Sequence, residues 1–212
     1  MAVTAAPPAL TRVAQRFAAT TRGIVGFRLH RVLDVHAGFS SRHEDLVLNG
    51  VFKNGSIVKV RVVSYTIDGR QADAATTDAM ARAFDRPQPG SAFAPPFDAR
   101  NAAAYSYGAY GNGTMAFSSA VRDAGHGNGT FTYRPDGTVL AITYQPNALP
   151  PHATWGQITD RRAQVLPNYW ATVGETQQYK GRYGPFAGAA SEEVDFSDFR
   201  RFADLGSALA SL

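Results

Sequence analysis

The stretch that decides the fold is LVLNGVFKNGSIVKVRVVSYT, residues 46–66. At its centre Asn54-Gly55 is a strong hairpin signal, because a two-residue turn needs residues that tolerate positive φ. After it, Val58, Val60 and Val62 face one way and Lys59 and Arg61 the other. That is the period of a strand with one buried face. Before it, Leu46–Phe52 is a second strand candidate, and Asp68-Gly69 ends the third. The same period runs upstream: Val25, Phe27, Leu29, Leu33 and Val35 fall on one face, Arg28, His30, Asp34 and His36 on the other. Three consecutive antiparallel strands follow from this pattern.

Outward from that core, Leu10, Val13 and Phe17 stand at helical spacing after Pro7-Pro8, with Arg12 and Arg16 opposite, predicting a short amphipathic helix over Ala9–Thr21. A second helix is expected over Asp73–Phe84, capped by Thr76 or Thr77, with Met80 and Phe84 on one face and Pro87 as its stop. Arg86–Phe97 holds four prolines and reads as a long ordered loop carrying Phe93 and Phe97. From Tyr105 the strand pattern returns: Tyr105–Tyr110, Thr114–Val121, Thr130–Arg134 and Val139–Tyr144, with turns at Gly111-Asn112-Gly113 and Pro135-Asp136-Gly137. Weaker candidates follow at Trp155–Val165, Tyr169–Tyr179, Arg182–Ala187 and Glu193–Phe202, then a helical turn in Asp204–Leu212. So few helices among so many hairpins predict a β-rich α+β fold: a strongly curved antiparallel sheet or open half-barrel, one or two helices covering its concave face.

The 212 residues suffice for a single domain, 1–212, and 44% hydrophobic against 18% charged residues can bury a core. Without cysteine, disulfides, thiolate catalysis and Cys-based zinc sites are excluded. No apolar run approaches the roughly 20 residues of a spanning helix. Residues 1–8 read as a disordered terminus, either a cytoplasmic start or the stub behind a removed signal peptide. Residues 1–70 carry ten Lys/Arg against four Asp/Glu. A basic front can favour an anionic membrane surface, but the charges are spaced along strands without a nucleic-acid motif, so no nucleic-acid partner is expected.

Each candidate for chemistry meets a simpler account. His30 and Asp34 would lie roughly 13 Å apart on a straight strand and cannot share an ion. Asp34 with His36, or His43 with Asp45, supplies two ligands, and no metal is expected. Ser40-Ser41 near His43 and Glu44 reads as a polar turn, and no Gly-x-Ser-x-Gly elbow is present. The neighbours Glu44-Asp45 and Glu192-Glu193 point to opposite faces, which defeats an acid/base pair. Gly125–Gly129 lacks the Lys-Ser/Thr of a phosphate loop and reads as a hairpin connection. Asn112 and Asn128 match the glycosylation pattern, yet Asn-Gly turns explain both. What remains is apolar: Met80, Phe84, Phe93 and Phe97 as a lid over a ligand cavity, or as core plugging the sheet.

The layout resembles the LolA/LolB-like periplasmic lipoprotein carriers. An amphipathic helix, Leu10–Arg22, runs into a long strand, Ile24–Val35, followed by Leu46–Phe52 and Ser56–Thr66. Glu193–Phe202 resembles a terminal strand of related exported proteins. Nothing between Leu46 and Tyr65 matches the family's Pro-x-x-Phe-Arg-Trp-like segment, so no binding residue is carried over. The resemblance implies a periplasmic or secreted, non-catalytic monomer without cofactor, holding an acyl chain or similar lipid-like ligand. The alternatives are a cell-envelope interaction module with a self-filled barrel, and a secreted hydrolase.

Overall fold

The computed structural model describes residues 7–85 and 93–212. The expected Pro87 stop, the Arg86–Ala92 part of the loop and residues 1–6 lie outside them. The elements run α1 (Pro8–Thr20), β1 (Ile24–Ala37), β2 (Ser40–Lys53), β3 (Ser56–Ile67), β4 (Arg70–Gln71), α2 (Ala74–Asp85), β5 (Tyr105–Gly111), β6 (Thr114–Ser119), β7 (Gly127–Tyr133), β8 (Val139–Pro146), β9 (Ala153–Leu166), β10 (Tyr169–Tyr183), β11 (Phe186–Phe202) and α3 (Leu205–Ala210). The strands form one antiparallel sheet in the order β4-β3-β2-β1-β11-β10-β9-β8-β7-β6-β5, with β4 and β5 as its open edges. The β-rich, unclosed sheet with helices agrees with the sequence pattern.

Register places one row of directly opposed residues across nine strands: Tyr65, Leu46, Arg31, Val194, Glu175, Asp160, Ile142, Phe131, Met115. Opposed residues share a face. α1 and α2 pack on that face. Leu10 and Val13 of α1 join Met115, Phe131 and Ile142 in one cluster, while Met80 and Phe84 of α2 pack against Leu46, Leu48 and Tyr65 in another. We call this the inner face. Arg12 Nη1 donates to the Pro135 carbonyl at 2.9 Å and Arg16 Nη2 pairs with Asp136 at 3.3 Å, tying α1 to the β7–β8 turn.

Several boundaries differ from the sequence pattern. Ser40-Ser41 belongs to β2, so the turn is shorter than expected and His43 and Glu44 lie inside the strand. Asp73, not Thr76 or Thr77, caps α2, its Oδ1 accepting from the Thr76 amide at 2.7 Å. Arg182–Ala187 is no separate strand: it holds the β10–β11 turn, and β11 runs unbroken for 17 residues. Gly127–Gly129 lies within β7, because β8 passes too close for a side chain; a Cβ on Gly129 would stand 2.0 Å from the Thr143 carbonyl oxygen. Asn128 is therefore a strand residue, whereas Asn112 does occupy a turn, with φ of 49°. A register shift between Val51 and Phe52 puts Ile57 against the core and leaves Val58 exposed.

Candidate functional site: a groove with a charged floor

The four apolar residues singled out in the sequence go to different places. Met80 and Phe84 pack over β2 and β3, where Asp85 at the end of α2 accepts from the Val60 amide at 2.9 Å and pairs with Lys59. Phe97 is 2% exposed, edge-on to Phe17 at 4.9 Å and Phe131 at 5.4 Å. Phe93 stacks on Tyr144 at 4.5 Å. Thus the two pairs lie in separate clusters.

Between those clusters the inner face is open at one end. A cavity of about 450 Å³ is lined by Leu33, Val35, Ala189, Ala190, Pro150 and Tyr179 among others. A second, of about 300 Å³, is lined by Phe93, Tyr144, Leu149, Ile158, Glu175 and Tyr179. Pro150, Gln177 and Tyr179 line both, so the two adjoin as compartments of one groove, the larger here called the outer and the smaller the inner. The space has a local cause: β11 enters the groove as Ala187-Gly188-Ala189-Ala190, a run with almost no side-chain volume.

The floor is polar. Arg31 Nε donates to Glu192 Oε2 at 2.9 Å and its Nη1 to Glu44 Oε2 at 3.4 Å. Tyr65 donates to the same Glu44 oxygen at 2.7 Å, and Arg42 pairs with Oε1 at 2.7 Å. Gln177 Nε2 donates to Glu175 Oε1 at 2.5 Å and Glu192 Oε1 at 3.2 Å, while Tyr179 donates to Gln177 Oε1 at 2.8 Å. Directly opposite Glu175, on β9, stands Asp160. These residues run across six neighbouring strands, β3, β2, β1, β11, β10 and β9.

Burial sets their protonation. Removal from water, together with Glu175 beside it, pushes the Asp160 carboxyl well above the usual carboxylate range. Burial also raises Glu192, against the pull of Arg31, and pushes the Tyr179 phenol up to about 12. Under α1, burial lowers Arg162 to about 10; its Nη2 donates to the Trp170 carbonyl at 3.0 Å and its guanidinium lies 4.9 Å from the Phe17 ring. A carboxyl pair of this kind can hold a proton and accept hydrogen bonds.

Sequence reasoning passed over these groups because their strands look weak and their partners are distant in the chain. A signal existed. The apolar phase of β1 is interrupted at Arg31, and the phase of Leu46 and Leu48 extends back to Glu44. On the other face, His43 Nδ1 meets Asp34 Oδ1 at 2.7 Å and His30 Nε2 meets Asp45 Oδ2 at 3.3 Å. These are exposed cross-strand pairs, and no group of three metal-ligating residues occurs among the described residues.

No family model matches the chain, and no curated protein matches it by sequence. Solved structures do. One is a domain provisionally named as outer membrane lipoprotein-sorting, from Vibrio parahaemolyticus, 13% identical, covering 95% of this chain and 96% of that one, TM-score 0.48. Another is a DUF1329 family protein from Desulfovibrio piger, 11% identical over 94% of each chain, TM-score 0.43. A third is a LolA superfamily protein from Nitrosomonas europaea, 8% identical over 92% of this chain and 94% of that one, TM-score 0.36. The chain is similar to LolA-superfamily structures. At such identities and scores no residue role transfers, and function is argued from the groove alone.

Proposed function

We propose that the protein is a non-catalytic binding or carrier protein that holds the hydrophobic part of a lipid-like molecule in the groove between its two packed flanks. The observation that carries this is the pair of adjoining cavities, about 450 and 300 Å³, on a face whose two flanks are packed by their own side chains. A concave, mostly apolar site with a few convergent polar groups is the general form of a small-molecule site. Phe93 walls the inner compartment, and Met80, Phe84 and Phe97 act from behind, holding the flanks that bound it. A ligand of this class fits a monomeric, exported protein of the periplasm or outside the cell. Phe39 in the β1–β2 turn and Phe186 at the start of β11, both exposed with ring centroids 6.0 Å apart, support transfer at a membrane surface.

Titration with the uncharged fluorophore N-phenyl-1-naphthylamine tests the reading. Saturable binding displaced by dodecanol is expected, and its loss in Ala190→Trp, which fills the outer compartment. Unsaturable binding, or binding that survives the substitution in a folded variant, would overturn it. The self-filled interaction module would then stand ahead.

A further inference from the structure

The apolar strip of the outer compartment runs out of the groove to an exposed tip. Along that strip Val35 opposes Ala190 and Ala37 opposes Gly188. Two residues further out on each chain stand Phe39 and Phe186. Phe39 is fully exposed and Phe186 is 45% exposed, and their rings meet edge-on at 6.0 Å. The approach is built into the turn: Gly38 has φ of 60°, and a Cβ there would stand 2.9 Å from Phe186 Cγ. Neither ring belongs to a core cluster. Large aromatics held together in water outside the core mark an interaction surface.

The charge around the pair has one sign. Residues 35–43 and 176–191, which form this end of β1, β2, β10 and β11 with their turns, hold Arg42, Lys180, Arg182, His36 and His43, and no Asp or Glu. Carboxylates beside these segments are engaged: Asp34 with His43, Glu44 with Arg31 and Arg42, Glu192 with Arg31, and Asp68 with the His43 amide. Lys180 and Arg182 are exposed and form no ion pair among the described residues; Lys180 lies 5.4 Å over the Trp155 ring. Two protruding rings cannot supply the roughly 800 Å² per partner of a stable protein interface. A bilayer closes around an apolar protrusion of any shape, and anionic lipids attract Lys and Arg.

The geometry points to an anionic lipid bilayer as the partner of this end of the sheet. Phe39 and Phe186 enter the acyl boundary, Lys180, Arg182 and Arg42 lie among the headgroup phosphates, and the outer compartment opens onto the membrane. This rests on the binding reading above and adds the surface with which the ligand is exchanged.

The test is flotation with vesicles of phosphatidylcholine alone and of phosphatidylcholine mixed with phosphatidylglycerol, beside the N-phenyl-1-naphthylamine titration without vesicles. Wild-type protein is expected to bind the mixed vesicles about twentyfold tighter than the neutral ones, Lys180 and Arg182 contributing roughly fivefold each. Lys180→Gln with Arg182→Gln should lose that preference. Phe39→Ser is expected to bind mixed vesicles about tenfold more weakly, with an unchanged unfolding midpoint and fluorophore uptake. Phe39→Trp should keep binding, its added emission shifting to the blue on mixed vesicles. Equal binding to both vesicles, no binding to either, or Phe39→Ser binding as tightly as wild type would overturn the bilayer as partner and leave the groove intact. Vesicle binding that depends on Phe39 without saturable fluorophore uptake would support the tip and remove the groove reading instead.

Discussion

The β5–β8 flank and the groove share one face of one sheet and differ in what covers them. On the flank, Phe131 is 0% exposed, hemmed in by Phe97, Phe117 and Tyr133, with Leu10 and Val13 of α1 above. In the groove, the rows through Leu33, Val35, Ala189 and Ala190 have no helix over them among the described residues, and β11 offers alanine and glycine where β7 offers phenylalanine. The lesson is that a single twisted sheet can be core at one end and binding surface at the other. Side-chain volume and the reach of two short helices decide which.

The sharpest way to break that contrast is to open the flank. Phe131→Ala is expected to cost about 4 kcal/mol, since it removes a fully enclosed ring whose neighbours are themselves locked aromatics. Denaturant unfolding measures it. A loss under about 1 kcal/mol would mean that the flank relaxes like the groove and that the two regions are not different in kind.

Next in size is the seam between them. Arg31 joins Glu192 and Glu44, both largely shielded from water. Arg31→Met keeps the length of the side chain but leaves Glu192 without its cation and Glu44 with Arg42 alone, and is expected to destabilise by about 3 kcal/mol. Adding Glu192→Gln to it should recover part of the loss, because one uncompensated charge goes with it. A double variant no more stable than the single one would show that Arg31 acts by packing its stem and not by its charge.

How much of this was legible beforehand follows the same division. The β1–β3 meander was readable because each strand alternates strictly and Asn54-Gly55 fixes the turn, with φ of 52° and 81°. The two helices were readable from their spacing. The groove was not. Its lining comes from β1, β8, β9, β10 and β11, the Ala148–His152 connection, Phe93 and Ala124, and only register brings Leu33 opposite Glu192 or Glu175 opposite Asp160. Pairings across that much chain leave no local pattern. Met80 and Phe97 were visible as large apolar groups, yet size alone does not tell a lid from a core, and they reside in separate clusters. The glycines of 125–129 misled because glycine marks both a loop and a close approach of strands.

The smallest expected effect tests the floor itself. Asp160→Asn replaces a buried acid lacking a partner for one oxygen with an amide that can donate to Glu175, and is expected to stabilise by about 1 kcal/mol at neutral pH. The sign of its pH dependence is unusual. Burial and Glu175 raise this acid above its unfolded value, so the folded chain keeps a proton that the unfolded chain has released. Its contribution is therefore unfavourable above the raised value, and becomes less so as pH falls toward about 4, where the unfolded carboxyl is protonated too. Asp98 and Asp136 act in the opposite sense: burial raises Asp98 but hydrogen bonds from Arg100 outweigh it, and the Thr138 amide lowers Asp136, so both lend stability that is lost on acidification. Only the difference between wild type and variant isolates Asp160. The gain from Asp160→Asn should shrink steadily as pH is lowered from neutral toward 4 in parallel denaturant titrations. A gain that is constant with pH would mean that Asp160 is ionised in the fold, and that Glu175 and Asp160 do not share a proton.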